Sequence, residues 1–160
     1  ASRVTAMIEK YFGGEIPSEF QDGQRITFDG FDWIATCAAT STNWSGDMER
    51  FALAQATEKA MELIRNVDLF INDTAPFKLA KDESKRFELG AILYQCIETI
   101  RVASVLLAPI IPAKMEELQD AIGWSTGKLK NATFEEQVCW GGLESGTKST
   151  KVSLFPRLEQ

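Results

Sequence analysis

Phe77 stands in the stretch of this chain whose residue types most suggest a binding surface, Ile71-Asn72-Asp73-Thr74-Ala75-Pro76-Phe77-Lys78-Leu79-Ala80-Lys81. Lysines follow the ring at one and four positions. An aromatic ring held beside two cations at a corner between helices could stack on a nucleotide base. The same ring could be a hydrophobic plug that fixes the corner, since large aromatics are usually core. The residues alone leave both readings open. Arg3 falls on the first helix, where a lone arginine reads as a solvated face residue.

Other chemistry finds less support. The chain has no histidine, which removes the commonest general acid–base group and the commonest metal ligand. Gly13-Gly14 and Gly141-Gly142 are isolated pairs and build no phosphate-cradling loop. The adjacent carboxylates Glu116-Glu117 and Glu135-Glu136 fall on what read as solvated helix faces. Cys37, Cys96 and Cys139 are odd in number and far apart, so they form neither a CxxC metal pair nor a disulfide framework. Reduced, buried thiols are the expectation. No catalytic residue and no metal ligand is expected, and the chain alone does not read as a complete enzyme.

Net charge is -6. Phosphate contacts dominate nucleic-acid affinity, so an acidic chain is not expected to bind RNA or DNA tightly by itself. It can still contribute selectivity while another domain supplies most of the affinity. With 160 residues, 44% hydrophobic and 25% charged, the chain reads as one soluble globular domain. The longest apolar run, 102–113, is interrupted by Ser104, Pro109 and Pro112, and is short of the roughly 20 residues of a membrane span. No basic-then-apolar leader opens the chain. A cytoplasmic protein with no membrane partner is expected.

These residues need elements to hold them. Val4, Met7, Ile8 and Tyr11 recur at helical spacing over 1–12, and Gly13-Gly14 ends that helix. It opens without a capping residue, as a helix cut from a longer chain would. Arg25 to Phe31 admits a hairpin on Asp29-Gly30. A helix over about 32–42 carries Trp33, Ile34, Cys37 and Ala38, with Ser45-Gly46-Asp47 expected to break or kink it. Leu53, Ala56, Ala60, Leu63, Val67 and Phe70 make an apolar stripe over about 50–73. Pro76 cannot continue that helix but suits the first turn of the next, with Thr74 as a candidate cap. The segment 84–107 is apolar nearly all round, as a central bundle helix is. Pro112 opens a short helix over 112–122, with Met115, Leu118 and Ile122 inward. The tail, 124–160, has no sustained period. Phe134-Glu135-Glu136 can make one helical turn, and Leu154-Phe155-Pro156 reads as a docking group. The fold class is all-α, a single helix bundle with an extended tail.

Several stretches, collinear from residue 2 to the tail, carry a resemblance. Ser2-Arg3 through Lys10-Tyr11-Phe12-Gly13-Gly14 and Ile16-Pro17 is one. Met61-Glu62-Leu63-Ile64-Arg65 followed by Thr74-Ala75-Pro76-Phe77-Lys78-Leu79-Ala80-Lys81 is another. Leu89-Gly90, Leu93-Tyr94 and Leu107-Ala108-Pro109-Ile110-Ile111-Pro112 form a third. Trp140-Gly141-Gly142-Leu143, Gly146-Thr147-Lys148 and Leu154-Phe155-Pro156-Arg157 complete the set. Together they resemble the C-terminal anticodon-binding domain of methionyl-tRNA synthetase, a class I aminoacyl-tRNA synthetase. Only 18–50 is a long unmatched stretch.

The resemblance implies a helix bundle that reads the CAU anticodon of methionine tRNA. It assigns anticodon contacts to Arg3, Phe77, Asn72, Asp73 and Pro76. Phe77 occupies the position of a family tryptophan, and Asn72-Asp73 stands where the family commonly has Asp-Glu. A further family asparagine would fall ahead of residue 1. The HIGH and KMSKS signatures and the zinc-knuckle cysteines are not in this chain, and the resemblance puts them upstream in a parent ligase. That parent would use ATP and Mg, with Zn as a structural metal, to join methionine to its tRNA; no cofactor is implied for this chain. The implied partners are the methionine tRNA anticodon loop and the parent's own catalytic domain, not DNA. The alternative is a helical interaction or structural domain of the same ancestry that reads no anticodon.

Overall fold

The long helix at the centre, α5 (Arg86–Leu107), is buried at every position from Leu89 to Leu107. In this computed structural model, which describes residues 1–124 and 131–156, the other elements pack round it. They are α1 (Ser2–Phe12), the short strands β1 (Phe20–Gln21) and β2 (Gln24–Arg25), α2 (Trp33–Glu49), α3 (Leu53–Thr74) and α4 (Pro76–Leu79). A 3-10 turn (Glu83–Lys85) leads into α5, and α6 (Pro112–Ala121) and α7 (Phe134–Val138) follow it. The all-α expectation holds.

By length and composition the segment Glu83–Leu107 could cross a membrane, which the reading by apolar runs did not register. Its apolar window lies wholly inside the bundle, as a core helix does. Val4 and Ile8 of α1, Ala56 to Ile71 of α3, and Met115 and Leu118 of α6 supply the opposing core surfaces.

Four local expectations need correction. The helix expected over 32–42 runs on to Glu49, straight through Ser45-Gly46-Asp47. Asp32 starts it by accepting from the Ala35 amide at 3.0 Å. It continues because Trp44 stacks on Phe134 with ring centroids 5.1 Å apart. Asp47 is buried and joined to both Arg50 and Lys59, so tertiary contacts override the weak propensity. The hairpin forms at Asp22-Gly23, pairing Phe20 with Arg25. Both turn residues have positive φ there, as a two-residue hairpin loop requires. Asp29-Gly30 only closes an isolated Phe28–Phe31 bridge. Leu53, placed in the apolar stripe, is exposed at the start of α3. In the tail, Phe155 is 69% exposed and Pro156 is exposed too, so Leu154 is the one member of the expected docking group that packs against the core; Arg157 lies outside the described residues.

The rest of the tail docks on two buried charges of α5. Glu98 and Arg101 are fully buried and joined by two hydrogen bonds, Arg101 Nε to Glu98 Oε2 at 3.0 Å and Nη2 to Oε1 at 2.7 Å. The backbone amides of Gly141, Gly142 and Leu143 all donate to the Glu98 carboxylate, at 2.8, 2.8 and 3.1 Å. Arg101 donates to the carbonyls of Gln137 and Cys139, and its guanidinium lies over the Trp124 ring. Tyr94 closes the set by donating to the Leu143 carbonyl at 2.8 Å. Gly142 is required by this approach, since a Cβ there would stand 2.5 Å from Arg101 Cζ.

Beyond this clamp the tail returns to α1. The Ile16 amide donates to Thr147, and Ser149 and Gly146 donate back to Gly14 and Ile16. The Val152 amide reaches the Thr5 hydroxyl at 3.3 Å.

Removing one partner of a buried, hydrogen-bonded ion pair leaves the other charge uncompensated, at about 3–5 kcal/mol. Glu98→Gln is therefore expected to destabilise the chain by about that amount in urea titration. A loss below about 1 kcal/mol, the worth of an exposed pair, would contradict the clamp. A second expectation concerns Asp47. Its hydrogen bond from Lys59 holds the carboxyl below its usual range, against the opposing effect of burial, and Arg50 adds to the lowering. A depressed folded-state pKa gives stability that is present above the unfolded value of about 3.9 and lost as pH falls through the folded one. The stability difference between the wild type and Asp47→Asn should then be largest near neutrality and shrink below about pH 4. A difference independent of pH would remove the electrostatic explanation.

Candidate nucleic-acid interface

The corner between α3 and α5 is built around Ala75. This residue ends α3 in the left-handed region, with φ 46° and ψ 59°, and its amide still reaches the Ile71 carbonyl at 3.0 Å. A residue with a Cβ sits there at a cost of about 1–2 kcal/mol, so the surrounding packing must impose it. Pro76 then opens α4 at the first helical position, where its missing N–H is no loss. Thr74 is not the cap predicted for it. It is the last residue of α3, and its hydroxyl donates back to the Phe70 carbonyl at 2.6 Å.

This turn decides where the next ring goes. Pro76, one of the expected contact residues, is buried. Its contribution is the fixed φ that sets α4. Phe77 is 48% exposed, which rules out the pure plug. Lys78 and Lys81 beside it are exposed. Asn72 and Asp73, in the last turn of α3, are exposed as well.

Arg3 joins this group from another helix. Its Nη1 lies 3.6 Å from Asp68 Oδ1, with both side chains more than half exposed. Asp68 and Asn72 are four residues apart and share one face of α3. At 1.5 Å per residue, the Asp68 level lies about 9 Å back along α3 from Thr74. At the other end of α1, Arg86 lies over the Phe12 ring and donates to the Tyr11 carbonyl at 3.4 Å. Thus the far end of α1 packs on the start of α5, while Arg3 near its beginning meets α3. The structure brings Arg3 to α3 at Asp68, one turn before Asn72, and Phe77 stands just beyond the end of that helix. Asp68 was missed in the sequence, where an acidic residue on an amphipathic helix gives no signal of its partner.

Of the three thiols expected to be buried, Cys37 and Cys96 are, and Cys139 is exposed on the tail. Desolvation pushes the Cys37 thiol up to about 12, and burial raises that of Cys96 as well. Both are therefore protonated near neutrality. Among the described residues, no three side chains of the metal-ligating types converge. The arrangement can stack on a flat ring, offer a charged donor fork and place lysines beside both.

No protein-family model matches the chain. A methionine–tRNA ligase of Streptomyces coelicolor is 35% identical over 167 residues, covering 100% of this chain and 30% of the relative. One of Halalkalibacterium halodurans is 36% identical over 159 residues, covering 99% of this chain and 23% of the relative. The chain thus spans less than a third of the length of these relatives. The solved apo structure of Mycobacterium tuberculosis methionyl-tRNA synthetase superposes with a TM-score of 0.75 at 21% identity, over 99% of this chain and 31% of that one. The same protein in complex with methionyl-adenylate also gives 0.75. Over nearly its whole length, then, this chain is homologous to a segment of the methionine–tRNA ligases and shares the fold of a segment of a solved one.

Proposed function

We propose that this chain is the tRNA-reading part of a methionine–tRNA ligase and that its corner at Ala75 receives the anticodon loop. The observation that carries the reading is Phe77, a large aromatic left half-exposed by a strained turn in a chain homologous to tRNA ligases. A base stacked on such a ring gains about 1–3 kcal/mol. Phenylalanine supplies the face without the N–H that an indole would add. Arg3 would donate to a base edge, and Asn72, which can both donate and accept, would read a second. Asp73 can only accept, and Lys78 and Lys81 would meet phosphates.

The net charge of -6 fits a part that selects rather than one that binds RNA tightly alone. The rest of the ligase would supply ATP- and Mg-dependent activation of methionine, any structural Zn and further tRNA contacts. The described residues of this chain offer no fit for a metal, so no step here runs through one. In this reading the protein works in the cytoplasm, with methionine tRNA and the ligase's catalytic domain as partners.

Phe77→Ala in the full-length ligase separates the two halves of the reaction. Loss of the stack should lower charging of methionine tRNA by about 10- to 100-fold. Methionine-dependent exchange of pyrophosphate into ATP should stay within about two-fold, a change of under ~0.5 kcal/mol. Equal loss of both activities would instead make Phe77 a structural residue, and the chain a helical interaction domain.

A further inference from the structure

We infer that Asp68 is a specificity residue that acts through Arg3: it makes this arginine select a neutral base edge over a phosphate. The inference rests on the tRNA-reading function proposed above. The Arg3–Asp68 separation of 3.6 Å is within ion-pair range but longer than an N–H···O hydrogen bond. Asp68 therefore offsets the charge of the guanidinium without occupying its donors. The five N–H groups of the fork remain available to a ligand.

The two kinds of acceptor on RNA respond differently to such a pair. A base carbonyl or ring nitrogen is neutral and needs only well-placed donors. A phosphate is anionic, and its attraction to Arg3 is opposed by the carboxylate beside it. The pair thus penalises backbone contact, which carries no sequence information, and spares base contact, which does. The lysines of the corner stand in contrast. Lys78 and Lys81 are exposed and, among the described residues, neither has a carboxylate partner. The arginine thus has its charge offset, whereas the lysines that follow Phe77 keep theirs, a division between reading and anchoring. Asp68 lies one turn before Asn72 on the same face of α3, so its field acts on the face that carries a second proposed base contact.

The test uses the full-length ligase with Asp68→Asn, Arg3→Gln and the double substitution. Each binds a methionine tRNA transcript and the same transcript with one anticodon base changed, over a series of KCl concentrations. Asp68→Asn should tighten the changed transcript by about two- to five-fold, the range of an exposed ion pair. It should steepen that transcript's salt dependence by about one counterion. Cognate binding should move less, so discrimination narrows. In the Arg3→Gln background the Asp68→Asn effect should vanish. Equal tightening of both transcripts, no change in their ratio, or an effect that survives Arg3→Gln would overturn the inference. If Arg3→Gln and Phe77→Ala both leave cognate binding unchanged, the tRNA-reading function fails and this inference falls with it. If they weaken it while Asp68→Asn leaves discrimination intact, only this inference fails.

Discussion

The structure hangs on a charge placed where charge is expensive. Glu98 lies on the central helix with no exposed surface, and so does Arg101 one turn later. Two such groups are tolerable only when every oxygen and N–H finds a partner. The partners come from each other and from backbone 137–143. The tail, which also lends Leu143 and Val152 to the core, is thereby fixed to α5. From there it pairs with Gly14 and Ile16 and reaches Thr5, two positions from Arg3. The clamp thus leads the tail back to the helix that carries the arginine.

The corner at Ala75 obeys a different constraint. Two long helices, α3 and α5, must run side by side, and the chain between them must turn sharply. Left-handed backbone at Ala75 and the fixed φ of Pro76 make the turn in two residues. The next residue, Phe77 of α4, is left half-exposed. The turn that presents Phe77 costs free energy at Ala75, and the core between α3 and α5 offsets that cost.

The sequence made some of this legible and hid the rest for identifiable reasons. The stripes of α3 and α5 follow period 3.6, and Pro76, Pro109 and Pro112 mark real boundaries, so the bundle could be read directly. The extent of α2 could not. Its continuation past Gly46 depends on Asp47 meeting Lys59 and Trp44 meeting Phe134, contacts between residues far apart in sequence. The clamp was hidden too, because Glu98 and Arg101 are ordinary charges on a helix until the tail is laid against them. At the candidate site, Phe77 was legible as an aromatic beside lysines, with plug and platform both open, while a contact role for Arg3 came only from the resemblance; the exposure of neither was legible. Pro76 is buried, and Asp68 had no signal without its partner. Local propensity and period are written in the chain; pairings across elements are not.

The central claim is that an RNA base lies on Phe77 while Arg3 contacts the same anticodon loop. Chemical footprinting of methionine tRNA bound to the full-length ligase addresses it most directly. The account predicts that the anticodon bases are protected and that Phe77→Ala exposes them while protection elsewhere on the tRNA persists. Anticodon bases equally reactive in the free and bound tRNA would contradict it.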